Sequence, residues 1–297
     1  MLGKAVTKGV IILLLFIAMV ALGLALVLFV QSQPDRSVNP EYVAMGSSFA
    51  AGPGISPSAG GPFLCARSQA NYPHLLAKLR GLSLLDVSCS GAKTQHILSE
   101  GQRFQMPQIT AVDERTRLVT ITIGGNDVSY IRSIFACQQN AERRFKLHGQ
   151  CGLVENYPQE KDFSDLEERL VAIATKINQL APEAIVVFVP NPAVLPPTGT
   201  CARLGLSAEL ASRLRVVASQ LLRVTHNASL RTGSLFLDTH SLGREHNVCA
   251  EDSWIFSVSD RRMAAFHPNS AGMRAIAKSL HNLLNQHAVY EYKKAGI

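Results

Sequence analysis

The sequence predicts a three-layer α/β/α domain, with a central parallel sheet of about five strands between helical layers, preceded by one membrane-crossing helix. Three observations lead there. Short, mostly apolar runs recur through residues 41–290, as expected of strands covered on both faces. Stretches with apolar residues at helical spacing separate them, and strands that alternate with helices form parallel sheets with right-handed crossovers. One uncharged stretch near the amino end is apolar for long enough to span a bilayer.

That stretch, residues 9–30, runs for 22 positions without a charge. At a rise of ~1.5 Å per residue, a helix of that length covers the ~30 Å hydrocarbon core of a bilayer. Lys4 and Lys8 precede it, and Asp35 and Arg36 follow with no net charge, so the amino end stays cytoplasmic and the rest is exported. A cleaved signal peptide is the alternative. Its apolar region normally spans only ~7–15 residues and ends in a small-x-small site, which Leu28-Phe29-Val30-Gln31 does not offer. The expected organisation is a cytoplasmic amino terminus (1–8), a transmembrane signal-anchor (9–30), a polar linker (31–40), one domain (41–290) and a tail (291–297). The expected location is the cell membrane, single-pass with the domain extracytoplasmic, or secretion if the helix is cleaved.

Within the domain, strands are expected at 41–45, 84–88, 118–123, 185–189 and 234–237. A helix over 164–180 opens with the capping box Ser164-x-x-Glu167 and carries Leu166, Leu170, Ile173, Ile177 and Leu180 on one face. A second helix starts near Ser207, with Leu210, Leu214, Val217, Leu221 and Val224 in register. A last one, 270–286, follows Pro268-Asn269, where Asn269 or Ser270 suits the N-cap. Two irregular regions, Gly/Pro/Ser-rich 53–67 and proline-rich 190–205, follow strand ends and therefore belong to the rim of any cleft there.

Cysteine usage agrees with export. The six cysteines include no C-x-x-C pair that would suggest zinc or a thioredoxin-type site. An even number outside the cytoplasm reads as disulfides, and sequential pairing is the simplest of fifteen arrangements: Cys65–Cys89, Cys137–Cys151 and Cys201–Cys249. The formal net charge is +7, or +5 with Lys4 and Lys8 set aside, and its basic residues are scattered. Such a distribution describes a solvated surface with weak attraction to anionic material, and gives no support to nucleic-acid binding. No metal site and no organic cofactor are expected.

Chemistry enters with three turns. Tyr42-Val43-Ala44-Met45 leads into Gly46-Ser47-Ser48-Phe49, so a hydroxyl stands where a strand ends. Open α/β sheets bind ligands at that edge. Ile123-Gly124-Gly125-Asn126-Asp127 ends another strand, and Phe266-His267-Pro268-Asn269 precedes the last helix. A serine, a histidine and an asparagine at one sheet edge are the nucleophile, base and oxyanion donor of a hydrolase. Asp127 is expected to hold its turn rather than act as a catalytic acid.

Together with Cys89-Ser90-Gly91-Ala92, these motifs, in this order over residues 41–286, resemble the SGNH (GDSL-type) hydrolases, and most of all their disulfide-rich secreted bacterial esterases and lipases. The resemblance implies Ser48 as nucleophile and His267 as its base. It implies an oxyanion hole made by the backbone N–H of Ser48, the backbone N–H of Gly91 and the side chain of Asn126. Two positions depart from the family pattern. Ser47 stands where an aspartate usually precedes the nucleophile, and Ala264 stands where many members carry the triad acid. The resemblance therefore implies a serine–histidine dyad, with the backbone carbonyl of Ala264 orienting His267; Asp260 is the alternative if its loop folds back.

The expected activity is a membrane-anchored extracytoplasmic serine esterase or lipase that hydrolyses carboxylic esters through an acyl-serine intermediate. Its substrate would be an acyl ester of a lipid or of cell-envelope material. Two alternatives stay open: an inactive scaffold that binds or assembles envelope components, and acyl transfer to an alcohol or sugar in place of hydrolysis.

Overall fold

The computed structural model describes residues 2–32, 39–137, 157–260 and 264–294. In chain order its elements are α1 (Leu2–Ser32), β1 (Tyr42–Gly46), α2 (Ser48–Ala51), α3 (Tyr72–Arg80), β2 (Leu84–Asp86), α4 (Thr94–Leu98) and β3 (Leu118–Thr122). They continue with α5 (Tyr130–Cys137), α6 (Glu160–Leu180), β4 (Ile185–Phe188), α7 (Ala208–Thr232), β5 (Leu235–Phe236), α8 (Thr239–Leu242) and α9 (Ser270–Lys294).

The five strands form one parallel sheet in the order β2-β1-β3-β4-β5. Parallel pairing sends every carboxyl end to one edge, and strand order reverses between β1 and β3, where such sheets take their ligands. Alternation along the strands divides the core in two. Val43, Met45, Val119, Ile121, Val186 and Phe188 pack against α4, α5, α6 and α7. Tyr42, Ala44, Leu118 and Val187 face α3 and α9, through Tyr72, Leu76, Met273, Ile276 and Leu280. On that second face Tyr42 and Tyr72 are fully buried, so their hydroxyls need partners; Thr120 and Thr122 of β3 supply them at 2.7 and 2.8 Å.

Each expected strand is present, within a residue or two of its expected ends. The start of α6 differs. The helix begins at Glu160, where Gln159 caps it and the Asp162 carboxylate accepts the Gln159 N–H at 2.8 Å, one turn before the expected Ser164. Glu167, expected to close a capping box, instead accepts from Arg231 and Asn227 of α7, both at 3.0 Å. Helix α7 starts where expected, and Ser207 caps it, its hydroxyl accepting the Leu210 N–H at 3.2 Å. Helix α9 runs on to Lys294, since no glycine or proline interrupts residues 287–294.

Disulfides join Cys65 to Cys89 and Cys201 to Cys249. The expected Cys137–Cys151 pair involves Cys151, which lies outside the described residues. Helix α1 contains a 20-residue stretch, Lys8–Val27, that is long and apolar enough to cross a membrane, and none of it is buried against the domain. A signal sequence meets the same description.

Gly46 fixes how the first strand leaves the sheet. Its φ is 143°, and a Cβ there would lie 2.3 Å from the Thr122 carbonyl oxygen. Gly46→Ala should therefore destabilise the domain by about 3 kcal/mol or more. Urea unfolding of the oxidised protein checks this, as a lowered midpoint with an unchanged slope.

Candidate active site

Three loops meet at the carboxyl edge of the sheet, and hydrogen bonds from main-chain and side-chain groups tie them together. After β1, the Ser47 N–H donates to the Thr122 carbonyl at 2.9 Å, and Gly46 is gripped on both sides by the Gln108 side chain, at 2.7 and 3.0 Å. After β2, the Cys89 N–H donates to the Gly46 carbonyl at 3.0 Å. After β3, the Asn126 amide donates to the Ala92 carbonyl at 2.9 Å. The Ser48, Gly91 and Asn126 loops thus hang on one another, and the Cys65–Cys89 disulfide fastens the 53–67 loop to the same place.

Ser48 is the first residue of α2, a single turn. Ser47 precedes it with no side-chain capping bond. The Ser48 hydroxyl lies 2.8 Å from His267 Nε2. These residues are 219 positions apart in the chain, and only the fold brings them together. Gly91 has a φ of 83°, which a residue with a side chain adopts only under strain. A Cβ there would touch Arg103 and Gln102 at an ordinary 3.6 Å, so conformation rather than crowding by the protein calls for glycine.

His267 sits in a turn whose backbone is tightly specified. Its carbonyl accepts the Phe256 N–H at 2.9 Å, and the Phe266 N–H donates to the Phe256 carbonyl at 2.7 Å. Asn269 accepts the Ala271 and Gly272 amides at 2.9 and 3.1 Å, the expected cap of α9, and its own side chain donates to the Ser253 carbonyl at 2.7 Å. The Phe49 ring lies 5.1 Å from the imidazole.

The ring's second nitrogen corrects one expectation. His267 Nδ1 lies 2.9 Å from the carbonyl oxygen of Ala265, not that of Ala264. The Ala264 carbonyl instead accepts the His267 backbone N–H at 3.2 Å and closes the turn. Phe266, between Ala265 and His267, has a φ of 63°, and in this turn the Ala265 carbonyl comes within hydrogen-bonding distance of Nδ1. Asp260 is committed elsewhere: its carboxylate accepts from Ser257 at 2.9 Å and pairs with Arg203 at 3.0 Å.

This arrangement fixes the tautomer. With Nδ1–H donating to a carbonyl, Nε2 keeps its lone pair and accepts from the Ser48 hydroxyl. Burial pushes the His267 pKa below its ordinary value, and the Ala265 and Ala264 backbone groups oppose that only in part. A neutral imidazole facing a serine hydroxyl can take up its proton as the oxygen attacks an acyl carbon. Two contributions carried no signal in the sequence. The Ala265 carbonyl is a group every residue has, and Gln108 reaches Gly46 across 62 positions. Among the described residues, no group of three or more His, Cys, Asp or Glu side chains stands ready for a metal.

Comparison with known proteins identifies the family. The GDSL-like Lipase/Acylhydrolase family matches residues 44–275. "Lipase 2" of Streptomyces coelicolor is 30% identical, over 82% of this chain and 85% of that one. The crystal structure of an extracellular lipase from Streptomyces rimosus superposes with a TM-score of 0.66 at 26% identity, covering 81% of this chain and 98% of that one. A phospholipase A1 from Streptomyces albidoflavus gives a TM-score of 0.66 at 27% identity, covering 83% and 98%. The chain belongs to the GDSL-like lipase/acylhydrolase family and is a serine ester hydrolase.

Proposed function

We propose that this hydrolase works through a Ser48–His267 dyad and an acyl-Ser48 intermediate. The observation that carries the reading is the 2.8 Å contact between the Ser48 hydroxyl and a His267 ring whose other nitrogen is 2.9 Å from a backbone carbonyl. As Ser48 Oγ bonds to the ester's carbonyl carbon, its proton passes to His267 Nε2 and the π electrons of the C=O bond move onto the carbonyl oxygen. The Ser48 and Gly91 backbone N–H groups and the Asn126 amide receive that oxyanion. Collapse expels the alcohol, which takes the proton from His267. Water then enters by the same route, its proton going to His267 and its oxygen to the acyl group, and the acid leaves with Ser48 restored. The Ala265 carbonyl orients the imidazole without a carboxylate's charge.

The substrate reading is an acyl ester of a lipid. Of the eight large apolar side chains exposed outside α1 among the described residues, four stand on two adjoining loops at this edge: Phe63, Leu64, Phe104 and Met106. Arg103 donates to the Leu64 carbonyl and Gln105 to Cys65 Sγ, so the two loops are tied together beside Gly91. Phe63 is 92% exposed, which suits contact with acyl chains better than with water. The similar phospholipase A1 points the same way. Helix α1 is read as a membrane anchor, with the catalytic domain extracytoplasmic.

The test is hydrolysis of short and long p-nitrophenyl esters by the full chain with oxidised cysteines. Ser48→Ala and His267→Ala should each lower kcat by several orders of magnitude while preserving the fold, and Asn126→Ala should lower it about 10²–10³-fold. A folded wild type without turnover, unlabelled at Ser48 by a fluorophosphonate, would overturn the reading in favour of a non-catalytic binding protein.

Acid sensitivity follows from His267. The protonated ring cannot accept the Ser48 proton, so activity rises with pH through its pKa. Because burial holds that pKa below the ordinary 6.5, the acidic limb of kcat/KM against pH should have its midpoint below 6.5. A midpoint above 6.5 would contradict the burial argument.

A further inference from the structure

The two loops that carry Gly91 and Asn126 are joined twice. One link is the 2.9 Å bond from Asn126 to the Ala92 carbonyl. The other involves the next residues along: the Asp127 carboxylate accepts the Thr94 backbone N–H, with both oxygens at 3.2 Å, and the Thr94 hydroxyl at 2.6 Å. Arg169 of α6 reaches this second link from outside. Its Nε donates to Thr94 Oγ1 at 2.9 Å, and its guanidinium lies 3.8 Å from Asp127 Oδ1. We propose that Arg169, acting through Thr94 and Asp127, is a positioning residue for the oxyanion donors of this site, an inference that rests on the ester-cleaving reading above.

The chemistry of each group supports the assignment. The Thr94 hydroxyl donates to Asp127 and accepts from Arg169, so it works as a relay that no apolar side chain can imitate. The Asp127 side chain is only 6% exposed, whereas that of Arg169 is 40% exposed. Burial raises the Asp127 pKa, and its bonds to Thr94 and the charge of Arg169 oppose the rise. Arg169 stands on a rigid support, because its helical neighbours Leu166, Leu170 and Ile173 are fully buried.

Position along the chain makes the network a matter of aim. Gly91 is three residues before Thr94, and Asn126 is directly before Asp127. The Asn126 amide has two hydrogens. Fixing one on the Ala92 carbonyl leaves the other to point where its own loop directs it, and the Asp127 link sets that direction. Rate is sensitive to such aim, since a misplacement of ~1 Å can cost about 10²-fold. A network that served stability alone would leave the reaction untouched once the protein is folded.

The experiment is a double-mutant cycle on the full, oxidised chain with p-nitrophenyl butyrate, at a temperature where every variant is folded. Arg169→Gln and Thr94→Val should each lower kcat about tenfold, with KM changed less than about twofold, because the donors act on the transition state. Thr94→Ser, which keeps the hydroxyl, should restore most of the rate. In an Asn126→Ala background, Arg169→Gln should lose most of its effect, because one donor it aims is gone. Losses that multiply in the double variant, a rise in KM at constant kcat, or an unchanged rate in Arg169→Gln would each overturn the proposal. If Arg169→Gln does not fold, the Thr94 variants complete the same cycle. Multiplied losses in an enzyme that still needs Ser48 defeat this inference alone; a wild type without turnover defeats the ester-cleaving reading and this inference with it.

Discussion

The pairing of β1 with β3 is the constraint on which the rest of the site depends. Five consecutive residues of each strand align, ending with Gly46 opposite Thr122. At that last pair the backbones pass so closely that Gly46 has no room for a side chain. There the Thr122 carbonyl accepts the Ser47 N–H, and on the β2 side the Gly46 carbonyl accepts the Cys89 N–H. Strand, turn and neighbouring loop are thereby fixed by backbone atoms, which have few ways to relax. A hydroxyl placed by such means needs no strained side-chain geometry of its own.

The histidine is held on a different principle. No strand ends at His267; its turn is braced by hydrogen bonds to residues 253–256 and capped by Asn269. A carboxylate beneath the ring would favour the charged imidazole and bring its own desolvation cost. The Ala265 carbonyl orients the ring while leaving its charge state to burial. Orientation and charge stabilisation, joined in a Ser-His-Asp triad, are here separate.

Much of this was legible in the sequence because its cause is local. The strands are short apolar runs, and the order of turn motifs around Ser48, Gly91, Asn126 and His267 marks the loops. Two of the expected disulfides lie where sequential pairing places them. What escaped had causes distant in the chain or silent in residue type. Ala264 was one residue off because the choice between adjacent carbonyls depends on the φ of Phe266. Ser164 looked like a cap, but Gln159 and Asp162 make an equivalent one a turn earlier, and Glu167 was taken by α7. Gln108 and Arg169 look like ordinary polar residues until the sheet brings them to the loops they hold.

The distance in sequence between Ser48 and His267 bears on how the protein is made. A polypeptide emerges amino end first, so Ser48 is among the earliest parts of the domain to leave the ribosome and His267 among the latest. Every strand can be complete while the hydroxyl still faces no imidazole. A nascent or truncated chain that stops short of the turn before α9 contains the residues of every strand, of both described disulfide pairs and of the Gly91 and Asn126 loops, yet has no acceptor for the Ser48 proton. Synthesis itself thus keeps the proton-transfer pair apart until the last helix is about to dock.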